Sequence, residues 1–573
     1  MKHLKDYLKN YKLQSILAPL FKMLEACFDL TVPLIVADII NTGIANNDSA
    51  YVLRRFFLLL AMALLGLLSS FTAQYFAAKA AIGTSTALRH DLLKKIQSLS
   101  LRETDKLSAS TLITRMTSDV MQVQNGLNLF LRLFMRSPFI VFGSTILAFS
   151  ISKSLAWIFV AAIALLLVII FSVMRITNPM YESVQQNLDK ITEITSENLT
   201  GARVIRAFSR EKKQTEVFEN ANAKLYNSQL RVGKAAAVLN PLTYVVVNTV
   251  VILVIWLGAK RTDSGLLLSG DIIALINYIS QILIELVKLA NLITQLGRSV
   301  ACMNRIGRVL DTESSMEFKA DYTKKDTNEA VRFENVGFRY SLSGGDALKN
   351  ISFTAFKGET IGITGGTGCG KSTLASLILR FYDATSGTVY IDGTDIKNIP
   401  KEKLVSILSA ALQKATLFKG TIRSNMLLGK PDAGDDEIYA ALEIAQAKDF
   451  VEKKPEKLDE PVEQGGANLS GGQKQRLNIA RAVIAKPEIL ILDDSFSALD
   501  FATDAALRKS LRSLPKSTTV FIISQRISSI KNADRILVLD DGALVGNGKH
   551  DELLKTNGVY REIFESQNTE KVK

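Results

Sequence analysis

ETIGITGGTGCGKSTLASLILRF, residues 359–381, decides the reading of this chain. An apolar run, Ile361–Thr364, leads into Gly365-Gly366-Thr367-Gly368-Cys369-Gly370-Lys371-Ser372, and Thr373 opens a helical pattern behind it. A strand, a GxxxxGK[ST] turn and a helix in that order form a phosphate loop. The glycines let backbone N–H groups curl around phosphate oxygens, and the helix N-terminus adds its dipole. Lys371 would supply a point charge to the β- and γ-phosphates and Ser372 a hydroxyl for Mg2+. Residues 365–373 are therefore read as an ATP-binding segment. Cys369, inside the loop, is expected to be a small filler, with a second possibility that Lys371 and the helix start activate its thiol toward alkylation.

Two further stretches work outward from this one. Ile489-Leu-Ile-Leu492 is an aliphatic strand ending in Asp493-Asp494. A carboxylate there, beside a phosphate loop, is placed to hold Mg2+ and the attacking water. Leu469-Ser470-Gly471-Gly472-Gln473 reads as a helix start, with Ser470 as cap and a periodic run behind it. Short apolar runs between Gly-rich turns continue from about Val331 to the end, alternating with helical stretches in the later part. Residues 331–573 are thus expected to form an α/β domain with a largely parallel sheet and antiparallel strands at its start. The polar, aperiodic stretch 311–330 reads as a linker.

Residues 1–310 are of another kind. Phe56–Ala78, Ser154–Met174 and Ala235–Ala259 carry no charge over 23, 21 and 25 residues. Each is long enough to cross a bilayer. Weaker stretches at about 15–43, 127–152 and 266–297 complete a plan of six spanning helices. The links after the second and fourth spans (79–126 and 175–234) are long, helical in pattern and rich in Lys and Arg. That bias places them, the N-terminus and the C-terminal domain on the cytoplasmic side. Their tips, near Ser100–Lys106 and Thr200–Arg210, are expected to reach the C-terminal domain. Within the spans, Glu285 and Lys288 lie one turn apart and can pair. They are candidates for lining a transport cavity, with Asp29 and Glu25 secondary.

The fold class is therefore a six-span α-helical membrane domain followed by a P-loop α/β domain. The composition agrees: 47% hydrophobic residues and a mean hydropathy of +0.17 coexist with 22% charged residues. The net charge of +13 is explained by the Lys and Arg that membrane proteins keep on their cytoplasmic side, so a nucleic-acid role loses its support. Cys27, Cys302 and Cys369 are too scattered for a disulfide framework. The basic N-terminus is not followed by a cleavable signal pattern.

The phosphate loop, the Asp493-Asp494 strand and LSGGQ, in this order behind six spans, resemble the ATP-binding cassette exporters in their half-transporter form. The resemblance covers nearly the whole chain. It implies that two cassettes meet head to tail, each ATP lying between the phosphate loop of one and Ser470, Gly471, Gly472 and Gln473 of the other. It also implies that Tyr340 stacks on adenine, that Gln413 senses Mg2+ and the membrane domain, and that Asp500 lies in a loop crossing to the partner.

Two positions depart from that family. Where it usually carries Glu as general base, this chain has Asp494, one methylene shorter. Where it carries His after the following strand, this chain has Gln525, which cannot become a cation or pass a proton. His3, His90 and His550 are the only histidines, and none is placed to substitute. The expectation is a site that holds ATP and hydrolyses it slowly, in a chain whose intact LSGGQ serves a different partner. The chain thereby resembles the degenerate subunit of bacterial heterodimeric multidrug exporters, in the plasma membrane, moving hydrophobic or amphipathic small molecules outward. The alternatives are a homodimeric lipid or peptide exporter and a non-transporting cassette protein.

Overall fold

The computed structural model describes residues 2–318, 325, 327–341 and 344–569. The chain forms two compact units. One comprises residues up to Gln97 together with Ala109–Thr312, the other Ser98–Ser108 with Glu313 onward.

The first unit is helical. Its long elements are α1 (Lys12–Asp38) and α2 (Ser49–Ser98). The second unit's outlying segment is α3 (Leu101–Leu107). The first unit then continues with α4 (Val120–Leu133), α5 (Arg136–Ile151), α6 (Lys153–Thr200), α7 (Glu211–Ala237), α8 (Leu239–Asp263) and α9 (Ser269–Asp311). Among the described residues, five helical runs are long and apolar enough to cross a membrane: Ser49–Ser98, Ala109–Ile151, Lys153–Thr200, Glu211–Asp263 and Ser269–Asp311. Six spans were expected. The stretch expected as the first is helical as α1, but Lys22, Glu25 and Asp29 interrupt its apolar run. The long polar links are helical as well. At 50 residues, α2 extends about 75 Å, more than twice the thickness of a hydrocarbon core.

Helix α9 is the hub of this unit, packing on α1, α4, α5 and α8. Its Tyr278 is fully buried and donates its hydroxyl to the Leu30 carbonyl of α1 at 2.7 Å. Phe159, Leu166, Leu275, Ile279 and Ile282 fill the core around it. By contrast, Leu64, Leu67, Leu68 and Phe71 of α2 point outward, as an apolar solvent would allow.

The second unit is an α/β domain. Strands β1 (Glu329–Phe338), β2 (Leu348–Phe356), β3 (Thr360–Gly365) and β4 (Ser386–Ile391) are followed by β5 (Leu408–Ala411), β6 (Ile489–Asp493), β7 (Thr519–Ile523), β8 (Arg535–Asp540) and β9 (Ala543–Gly548). An antiparallel sheet runs β2–β1–β4, and a six-stranded sheet runs β9–β8–β3–β7–β6–β5, parallel except for β9. Glu329 pairs with Phe356, so the first strand begins two residues inside the stretch expected as linker. Residues 319–324 and 326 of that stretch lie outside the described residues. Alternate residues of β6 and β7 enter two separate cores. Leu490, Leu492, Val520 and Ile522 face one; Ile489, Ile491, Phe521 and Ile523 face the other. A parallel sheet covered on both faces reads as a continuous aliphatic run for this reason. Its strand ends are left to carry the chemistry.

Candidate nucleotide site

Strand β3 delivers the phosphate loop, and α10 (Lys371–Ile378) leaves it. Gly365 has φ +149°, and a Cβ on it would lie 2.1 Å from the Leu539 carbonyl oxygen of β8. Gly370 caps α10 in the left-handed region at φ +99°. Only glycine meets both demands without strain. Gly365→Ala is expected to cost about 2–3 kcal/mol through displacement of β8, read as a lower denaturation midpoint of the purified chain. The Lys371 ammonium is held over the loop, donating to the carbonyls of Gly365 (3.0 Å) and Gly366 (2.6 Å). Cys369 is buried, with its sulfur 3.6 Å from that ammonium. Its position is that of a filler, and burial works against the alkylation considered from sequence.

Beside the loop, β6 ends at Asp493. Its carboxylate accepts from the Ser372 hydroxyl at 3.2 Å. Burial pushes this carboxyl up from the ordinary range, and Asp494 adds to the shift, while Ser372 and Lys371 oppose it. A buried carboxylate with a hydroxyl beside it and little compensating charge is an oxygen donor set that suits Mg2+. Ser372 and Asp493 would hold the ion, with Gln413 in the same cavity. Asp494 follows at φ +44°, its N–H donating to the Ile523 carbonyl at 2.9 Å. Asp and Asn tolerate this left-handed conformation better than longer side chains do.

A cavity of about 290 Å³ gathers Tyr340, Thr367, Gly368, Gly370, Lys371, Ser372, Thr373, Gln413, Asp493, Asp494 and Gln525. Gly365, Gly366 and Cys369, of the same loop, are not among the residues that line it. The Tyr340 hydroxyl pairs with Thr373 at 3.1 Å, and its ring stands edge-on to Phe338 and Tyr382. The structure does not bring Ser470, Gly471, Gly472 or Gln473 into this cavity. They form the start of α11 (Gly471–Ile484), where Ser470 and Gln473 close a reciprocal capping box. Asp500 likewise caps α12 (Phe501–Leu511), accepting from the N–H and hydroxyl of Thr503.

Several supporting residues had no motif to announce them. Three successive carbonyls leading to the Gln413 side chain are each gripped: Ala411 by Ser495, Leu412 by Asn478 and Gln413 by Gln475. Gln475 and Asn478 belong to α11, one turn beyond the LSGGQ cap. Arg526 donates to the carbonyls of Ser497 and Leu499, just before Asp500. Tyr382 donates to Asp105 of α3 at 2.5 Å, and burial together with Asp105 raises its hydroxyl pKa. Of these, the sequence pointed only to the neighbourhood of Asp105, through the tip expected near Ser100–Lys106.

The membrane unit holds a second cluster. Glu285 accepts from Lys288 (2.8 Å), Arg136 (2.5 Å) and Ser137 (2.7 Å). Arg136 also binds Asp29 at 2.7 Å and lies 3.8 Å from Glu25, which pairs with Lys22 at 2.5 Å. Glu285 was considered a cavity-lining residue. It is buried among these partners, which offset the cost of removing its charge from water, whereas the Lys288 and Asp29 side chains considered with it are 42% and 43% exposed.

The family model of the ABC transporter transmembrane region matches residues 15–286, and that of the ABC transporter matches residues 348–497. The Bacillus subtilis protein YfiB, an uncharacterized ABC transporter ATP-binding protein, is 36% identical over 562 residues, covering 98% of both chains. This chain belongs to the ABC transporter family. Another B. subtilis relative of this ABC transporter, YheH, described as a probable multidrug resistance ATP-binding/permease protein, is 31% identical over 487 residues, 84% of this chain and 72% of its own. A solved bacterial Atm1-family ABC exporter with ATP bound has the same fold, with a TM-score of 0.82, 23% identity and 98% coverage of both chains. The transporter is thus a multi-pass membrane protein that carries its membrane and ATP-binding domains in one polypeptide.

Proposed function

We propose that this ABC transporter is one half of a heterodimeric exporter, supplying a slow ATP site on its phosphate-loop side and an intact LSGGQ to its partner's site. One observation carries the reading: Asp494 and Gln525 share the cavity of Lys371, while the fully capped Ser470–Gln473 stands outside it. A short acid and an amide that cannot carry a proton suit holding nucleotide better than cutting it. An undamaged LSGGQ needs a second cassette to act on.

Other features support the same reading. At the tip between α6 and α7, Leu199, Val204 and Phe208 are 75%, 61% and 72% exposed in the single chain, an apolar surface suited to a second half. Lys22, Glu25 and Asp29 of α1 all find ion partners inside the bundle, so α1 can serve as a sixth span. ATP at the two interfaces would clamp the cassettes, the helical extensions would carry that closure to the membrane domain, and hydrolysis at the partner's site would reopen it. In the plasma membrane of a bacterium, with the N-terminus and the cassette cytoplasmic, hydrophobic or amphipathic small molecules would leave the cell. The name of YheH agrees with such cargo.

The test compares the purified chain alone with the chain joined to a second half-transporter. The chain alone should retain ATP and turn it over slowly, and the pair should turn it over fast. Brisk hydrolysis and vesicle uptake by the chain alone would instead establish a homodimer.

A further inference from the structure

The loop leaving β7 places Gln525 in the nucleotide cavity. Its entry is secured by the Ser524 N–H, which donates to the Ile363 carbonyl of β3 at 3.0 Å, and by the Ser524 hydroxyl, which accepts from the Arg526 N–H at 3.0 Å. Its exit is secured from the far end of the chain. In α13 (Gly558–Thr569), the Gln567 amide donates to the Gln525 carbonyl at 2.7 Å and accepts from the Ile527 N–H at 2.9 Å. One side-chain amide thus pairs with both backbone groups flanking Arg526, as a neighbouring strand would.

The helix that carries Gln567 is itself well anchored. Tyr560 is fully buried, with its hydroxyl 2.7 Å from His550 Nδ1, and Ile563 and Phe564 pack on the same core. Positions 560, 563, 564 and 567 lie on one helix face. The anchor and the amide therefore point to the same side, and the position of the amide is inherited from the core.

We propose that Gln567 is a positioning residue for the nucleotide site: by pinning the backbone on both sides of Arg526, it aims the Gln525 side chain at the terminal phosphate. Through Arg526, the same clamp steadies the Ser497–Leu499 carbonyls that precede Asp500. The inference needs nucleotide in the cavity but not unequal halves.

The experiment measures displacement of a fluorescent ADP analogue by ATP and by ADP, with Mg2+, on the purified full-length chain. ADP lacks the phosphate that Gln525 faces. Gln567→Ala should therefore weaken ATP about three- to tenfold, the worth of one or two hydrogen bonds, and leave ADP unchanged. Gln567→Glu keeps the acceptor for Ile527 and the helix packing but sets a carboxylate against the Gln525 carbonyl, so it should weaken ATP similarly. Gln525→Ala with Gln567→Ala should bind ATP no worse than Gln525→Ala alone, because both act through one contact. Equal losses for ATP and ADP, losses that multiply in the double variant, or no change in either single variant would overturn the proposal. Rapid hydrolysis by the unpaired chain would sink the unequal-halves reading alone, because the same ratio is then read with a non-hydrolysable ATP analogue in place of ATP.

Discussion

Asp494→Glu combined with Gln525→His is expected to raise turnover at this site about 100-fold, since an ångström of misplacement at a reacting group can cost that much. The added methylene brings the carboxylate forward, and the imidazole supplies a group that can carry a proton. The backbone opposes the change modestly. Asp494 sits at φ +44°, where a longer side chain costs about 1 kcal/mol. A 100-fold rate gain corresponds to about 2.7 kcal/mol of barrier. Catalysis should therefore improve even as the melting temperature falls slightly. The measurement uses the proposed pair, with the general-base carboxylate of its second half changed to an amide, so that the remaining ATPase would report this site. A double variant no faster than the starting chain would mean that Asp494 and Gln525 are not what slows it.

Arg136→Ala should destabilise the membrane unit by about 3–5 kcal/mol, the usual result of removing one partner from a buried ion network. Three cations (Lys22, Arg136, Lys288) and three carboxylates (Glu25, Asp29, Glu285) make up the cluster, so its charges cancel. Arg136 touches all three acids, and Glu285 has only 4% of its side chain exposed. Alanine would leave Glu285 to Lys288 and Ser137, and Asp29 without its arginine. Arg136→Met with Glu285→Gln keeps both volumes and restores neutrality, so it should recover much of the loss. Thermal unfolding of detergent-solubilised protein reads both variants. A loss below 1 kcal/mol in Arg136→Ala would show that the network contributes little.

The sequence made the nucleotide loop, the Asp493-Asp494 strand end and the LSGGQ helix start legible because each is a contiguous run whose neighbours declare its context. Arg136 escaped for the opposite reason. Its partners Glu25, Asp29 and Glu285 lie on two other helices, and Glu285 alone suggested only its i+3 neighbour Lys288. The grips on Ala411, Leu412 and Gln413 are similarly hidden, because a side chain that bonds backbone leaves no pattern at the backbone's own position. The span count was legible wherever an apolar run was uninterrupted. At α1, charges that would argue against a span in isolation have ion partners that only the folded bundle reveals.

Those three gripped carbonyls have a mechanical consequence. Helix α11 presents its first turn away from its own nucleotide cavity, while its next turn holds the segment that brings Gln413 into it. A push on the capped end, arriving from a neighbouring cassette, would travel less than two helical turns before displacing the amide beside the chain's own Mg2+ position. If, as proposed, that capped end meets a second cassette's nucleotide, two pockets would share one short rod, and occupancy at either would be felt at the other.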